Sequence, residues 1–211
     1  MTPANDPFLD LLDLINQFGQ GQRTTPRSSP ESSDLDSAHH EAGHAIVVWY
    51  SPFVSSVESV TIERVGVFGG QVLYTFEKTE TSAQLYDSLV GALGGLAGAL
   101  LLNNKVRGGH FTNDLVEARE LAEKLATHHE SMQLKHLRGG VNLRFDVAAM
   151  YRAQPSLRAR AFMNDTLEEA RGRLRKHQDA FARLVLELMK RKTLKTDDLL
   201  RVLGPRLWSP R

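Results

Sequence analysis

The chain has 211 residues, 41% of them hydrophobic, enough to bury one core with an appended helical bundle. Twenty-six basic against twenty-five acidic side chains leave a formal charge of +1, so composition announces no polyelectrolyte partner and nucleic acid is not expected. The absence of cysteine excludes disulfides, thiolate metal sites and cysteine nucleophiles, and leaves any metal to His, Asp and Glu.

Residues 8–18, FLDLLDLINQF, place Phe8, Leu11, Leu12, Ile15 and Phe18 on one helical face. Such a segment either docks on a partner or a membrane surface or, more ordinarily, packs on its own domain. The stretch that follows, GQGQRTTPRSSPESSD, has the composition of a flexible linker, so residues 1–36 read as an N-terminal segment ahead of a folded domain over 37–203 and a short tail over 204–211. No basic region followed by an apolar one opens the chain, and Asp6, Asp10 and Asp13 argue against a transit peptide; a cytoplasmic location is expected.

Within the domain, a helix is predicted from Ser37 to Tyr50, stopped by Pro52, which cannot continue a hydrogen-bonded turn. VESVTIERV and GGQVLYTF are rich in β-branched and aromatic residues and flank the turn-like GVFGG, the pattern of paired strands. The remainder has helical period over 82–102, 113–136 and 164–192, with Leu167, Ala170, Leu174, Phe181, Leu184 and Leu188 forming one stripe in the last. The longest uncharged apolar run, Leu89 to Leu102, falls short of the roughly 18 to 20 residues needed to span a bilayer and contains four glycines, so it reads as a buried helix and not as an integral membrane segment. The predicted fold is mainly α with a small β-sheet.

The stretch SAHHEAGHAIVVWY carries chemistry. His40 and His44 stand four apart, so on a helix they project from one face and can share an ion. Glu41 lies about 100° round from His40 and about 60° from His44, inconvenient as a ligand but within reach of a water on that ion, the position of a general base. A zinc ion lowers the pKa of such a water to about 7, which is why HExxH points to amide hydrolysis. His39 points about 100° away from His40 and is not expected to be a ligand.

Two imidazoles leave the ion short of ligands. GGHFTNDLVEARELAEKLATHH offers His110, Asp114, Glu117, His128 and His129. The residues alone rank Asp114 and Glu117 about equally, and both also suit the first turn of a helix, near the positive end of its dipole.

Taken in order, HEAGHAIV, SVTIERVGVFGGQVLY, LGGLAGALL, TNDLVEARELA and LEEARGRLRKHQDAFARLVLELMKRKTL resemble the peptidase module of the FtsH family of ATP-dependent zinc proteases, over about Ser37 to Leu203. The resemblance implies an FtsH-type peptidase domain with an HExxH active-site helix and a C-terminal helical bundle. It implies zinc as cofactor, His40, His44 and Asp114 as its ligands, and Glu41 as the catalytic residue. It further implies that Gly70, Gln71, Val72, Leu73 and Tyr74 border the cleft, where an extended substrate adds by backbone hydrogen bonds with little sequence preference.

The sequence also departs from the family. No GxxxxGK[ST] phosphate loop occurs in these residues, so the expected activity is ATP-independent and directed at unfolded or flexible polypeptides. Leu96, Ala99 and Leu100 stand where the family usually has an arginine and two glutamates, which leaves hexamer, smaller homo-oligomer and monomer all open. Three functions fit: a zinc endopeptidase; a non-catalytic or regulatory subunit of an FtsH-type ATPase protease; and a zinc-dependent hydrolase of a small amide.

Overall fold

A computed structural model describes residues 30–63, 70–76, 81–103, 112–128 and 155–206. Segment 8–18, residues 66–69 of the GVFGG turn, His110, His129 and the stretch LRGGVNLRFD lie outside these residues. The described elements are α1 (Pro30–Trp49), β1 (Val54–Thr61), β2 (Gln71–Phe76), α2 (Ser82–Ala92), α3 (Gly94–Asn103), α4 (Thr112–His128), α5 (Leu157–Lys176), α6 (Gln178–Arg191), β3 (Thr193–Lys195) and α7 (Thr196–Leu203). The architecture is mainly helical with one small antiparallel sheet.

The axis of the domain is α1, whose Ala38, Ala42, Ala45, Ile46, Val47, Val48 and Trp49 are all buried. It starts seven residues before the expected Ser37, at Pro30, where a missing N–H costs nothing because the first helical turn has no acceptor for it. The helix therefore takes over the end of the stretch that composition marks as linker, and Asp34 in it is tied to Lys192 by a 2.7 Å ion pair. At its far end, Arg206 donates to the carbonyls of Ser55 (2.8 Å) and Trp49 (3.3 Å) and fastens the start of the expected tail onto the α1–β1 corner.

The expected helix over 82–102 is two helices, α2 and α3, hinged at Leu93, whose N–H donates to the carbonyls of Leu89 and Gly91. The break lets α3 cross α1 at backbone contact. A Cβ on Gly43 would lie 3.0 Å from Gly98 Cα, and one on Gly94 would lie 3.0 Å from the carbonyl oxygen of Gly43, so neither position tolerates a side chain. Ser82–Leu101 is long and apolar enough by composition to cross a membrane, but its most apolar 18-residue window is 78% buried inside the domain, with Leu85, Leu89, Val90, Leu93, Leu96 and Ala97 in the core. The start of α2 is fixed by a capping box: Thr81 accepts from the Gln84 N–H and Gln84 accepts from the Thr81 N–H, at 3.2 and 2.7 Å.

The expected helix over 164–192 begins earlier, at Leu157, and breaks at His177 into α5 and α6. The stripe from Leu167 to Leu188 is buried throughout. Neither glycine nor proline marks the break; the His177 ring stacks on Tyr50 at 3.7 Å and 7°, a contact made only in the folded chain. Beyond α6, Lys192 takes a left-handed backbone conformation (φ 64°) and turns the chain into β3 and α7, two elements that no sequence pattern announced. The sheet order is therefore β2–β1–β3, with Val57 opposite Tyr74 and Val60 opposite both Val72 and Leu194. A buried ion pair, Asp87 with Arg173 at 2.7 Å, joins α2 to α5.

Candidate metal centre

The His40 and His44 rings project from one face of α1, 4.7 Å apart and nearly perpendicular, as a separation of four residues on a helix requires. The first turn of α4 brings Asp114 to them across seventy positions of sequence. Asp114 Oδ2 lies 3.1 Å from His40 Nε2 and 3.3 Å from His44 Nε2, and the two Nε2 atoms are 3.2 Å apart. Glu117, the equal candidate on sequence grounds, is exposed and gives no donor atom to this cluster. The side chain of His128 lies outside the described residues. His39 turns its ring edge-on to Phe181 of α6 at 5.4 Å, away from the cluster, as its angle on the helix predicts.

These three atoms fit a metal ion. Ligands about 2.0–2.2 Å from a tetrahedral zinc are about 3.3–3.6 Å from one another, and the observed triangle of 3.1, 3.2 and 3.3 Å is close to that size. The tautomer is also correct for ligation. His44 Nδ1–H donates to the carbonyl of Gly91 at 2.8 Å, and a carbonyl can only accept, so in the neutral ring the Nε2 lone pair faces Asp114 and His40. Gly95 of α3 completes the cradle: a Cβ there would lie 2.6 Å from His40 Nδ1 and collide with His44 Nε2. Sequence reasoning missed both glycines; their only signal was the unusual density of glycine in a helix-forming stretch.

The electrostatics bind the three groups together. Burial alone would lower the pKa of His44, but the Asp114 hydrogen bond and charge outweigh it and push it up to about 9. Burial would likewise raise Asp114, yet the hydrogen bonds from His40 and His44 hold its carboxyl well below the usual carboxylate range. Glu41 is 6% exposed, and its burial pushes it up to about 7 against the opposing charge of His44. Its neighbour explains the burial: Gly70, just before β2, packs so close that a Cβ would meet Glu41 Oε1 at 2.5 Å and Cγ at 2.7 Å.

The structure thus puts the start of the expected substrate-bordering stretch directly over Glu41. Along β2, Gln71 and Leu73 are exposed while Val72 and Tyr74 pack on the core. Burial, together with the nearby charges of Glu117, Asp114 and Asp87, pushes the Tyr74 phenol up to about 12, so it stays protonated. Among the described residues no strand pairs with the other edge of β2.

Two imidazoles and a carboxylate around one point, beside a buried carboxyl poised near neutrality, are compatible with the class of site that metal-dependent hydrolases use. The chain belongs to peptidase family M41, which it matches over residues 29–202. It is 32% identical over 79% of its length to the ATP-dependent zinc metalloprotease FtsH 2 of Symbiobacterium thermophilum, and 27% identical over 93% to the FtsH 2 of Sphaerobacter thermophilus. The ATP-dependent zinc metalloprotease FtsH of Borreliella burgdorferi is 27% identical over 92% of the chain. The chain spans 30 to 33% of the length of these relatives. Family membership implies a zinc metallopeptidase, with zinc as the ion.

Proposed function

We propose that the chain is a zinc metalloendopeptidase that hydrolyses peptide bonds of unfolded or flexible polypeptides and needs no ATP for that reaction. The observation that carries this reading is the packing of Glu41 between the three-donor cluster and Gly70, the residue that leads into β2, whose other edge is unpaired among the described residues. His40 and His44 through Nε2 and Asp114 through Oδ2 would hold the ion, which when bound supplies a Lewis acid and a more acidic water. The Asp114 carboxylate would also offset part of the ion's charge, and the Gly91 carbonyl holds His44 in the ligating tautomer.

Glu41 accepts the proton of the attacking water as its oxygen bonds to the substrate carbonyl carbon, then delivers that proton to the amide nitrogen as the C–N bond breaks. A carboxyl near pH 7 suits both transfers, because it gives up a proton about as readily as it takes one. The exposed edge of residues 70–74 offers main-chain N–H and C=O groups to an extended substrate, which selects for locally unfolded chain with little preference among side chains.

The test is cleavage of casein by the zinc-loaded chain without ATP, beside Glu41→Gln, which keeps the shape and removes the base. Cleavage by the natural chain, lowered at least about 100-fold in the variant, is expected. No cleavage by a chain shown to carry zinc would overturn the reading in favour of a regulatory subunit or a small-amide hydrolase.

A further inference from the structure

On the face of the domain formed by α6 and α7 lies a groove of about 450 Å³, lined by Leu186 and Val202 and by Arg183, Lys190, Arg191 and Arg201. Leu186 is 59% exposed, the most exposed large hydrophobic among the described residues. Two carboxylates, Glu187 and Asp198, also line it, but each is already engaged: Glu187 by Lys190 at 3.2 Å, Asp198 by Arg191 at 2.7 Å and by Arg201. Four cations against two anions leave the groove at +2.

We propose that residues 8–18 of this same chain dock in the groove as an amphipathic helix, through Phe8, Leu11, Leu12, Ile15 and Phe18. Connectivity is the first argument. The 2.7 Å pair between Asp34 and Lys192 places the first turns of α1 beside the end of α6, immediately after the groove residues Lys190 and Arg191. Chain leading back from α1 therefore starts on the same side of the domain as the C-terminal end of α6, one lysine side chain from it. Eleven residues, twelve Cα-to-Cα steps, separate Phe18 from Pro30. They reach up to about 40 Å extended and about 20 Å as a coil, and α6 itself is about 21 Å long. The segment arrives without stretching its connection.

Charge is the second argument. Residues 1–22 carry Asp6, Asp10 and Asp13 and no Lys or Arg, a side-chain charge of −3 opposite a groove of +2. On a helix the three aspartates lie about 140–180° from the centre of the apolar stripe. They remain in water when the stripe is buried, so the attraction is one of net charge across the width of the helix and weakens with salt. The apolar stripe supplies the contact, covering Leu186 and Val202.

The absence of cysteine gives a direct test in the full chain. Leu12→Cys with Leu186→Cys, under mild oxidation, is compared with Leu12→Cys with Leu157→Cys; Leu157 is 55% exposed at the start of α5 and outside the groove. Docking predicts an intramolecular disulfide that forms at least about tenfold faster in the first pair, a preference of ~1.4 kcal/mol. Adding Ile15→Asp should bring that rate down to the control. Equal rates in the two pairs would overturn the proposal, and disulfide-linked dimers would assign the groove to a second copy. Hydrogen exchange of residues 183–202 in the cysteine-free chain, faster in Ile15→Asp than in the natural sequence, is the companion measurement; unchanged exchange also refutes docking.

Discussion

Replacing Gly95 with alanine adds one methyl group at the centre of the proposed metal site. That methyl would lie 2.6 Å from His40 Nδ1, where ordinary contact begins at 3.4 Å, and would also overlap His44 Nε2, a proposed ligand atom. Retreat of α3 from α1 is opposed on its other side, where the helix packs on α5 and buries Leu96, Ala97 and Leu100 in the core. The two rings must turn instead. Overpacking costs about 1–3 kcal/mol, offset by the ~1 kcal/mol that alanine gains over glycine in a helix. The net loss of up to about 2 kcal/mol lowers Tm by no more than about 8 °C in a domain of this size. Zinc affinity should fall much further. Disturbing a group that only orients a ligand already costs about 10–100-fold, and here both ligands move, so a loss of at least about 100-fold is expected. Competition against a chromophoric chelator measures it, with circular dichroism confirming that the variant is folded. A folded Gly95→Ala protein that binds zinc within about threefold of the natural chain would refute the geometry, since 1.4 kcal/mol is already a factor of ten.

Gly172→Ala is the matching control: nothing lies within 4 Å of the added methyl, so it should stabilise α5 by about 0.5–1 kcal/mol in denaturant titration and leave zinc binding alone. Asp114→Asn should lose most zinc affinity and Glu117→Gln very little; similar losses would show that the third ligand is misassigned. Arg173→Met leaves the buried Asp87 carboxylate without its counter-charge, with only the Ser51 hydroxyl still donating to it, and should destabilise by about 3 kcal/mol, measured by urea unfolding. His177 is lowered from 6.5 by burial and then by Lys176, so the folded state resists its protonation. Its contribution to stability is therefore present at neutral pH and is lost as pH falls below 6.5, and an NMR titration should find its midpoint below that value; a midpoint at or above 6.5 contradicts the burial of the ring.

Much of the domain was legible because local rules govern it. A separation of four residues puts His40 and His44 on one face of any helix, and burial in α1 requires only the apolar run that follows them. The stripe from Leu167 to Leu188 identified the buried side of the last long helical region. The mainly helical character and the pairing of the first two strands were read from the same short-range patterns. Other features depended on contacts between distant parts of the chain. No periodicity distinguishes Asp114 from Glu117; what separates them is the angle at which α4 meets α1, set by packing across seventy positions. The break at His177, the left-handed turn at Lys192 and the addition of β3 to the sheet carry no glycine or proline signal, and they are stabilised by partners such as Tyr50 and β1 that are far off in sequence. The glycines 91 and 95 read as helix weakeners in isolation and become the hydrogen-bond acceptor and the clearance of the candidate metal site only once α2 and α3 lie against α1. Hydrogen-bond periodicity acts over four residues and is written locally, whereas the placement of a third donor atom within 3.3 Å of two others depends on the packing of the whole core.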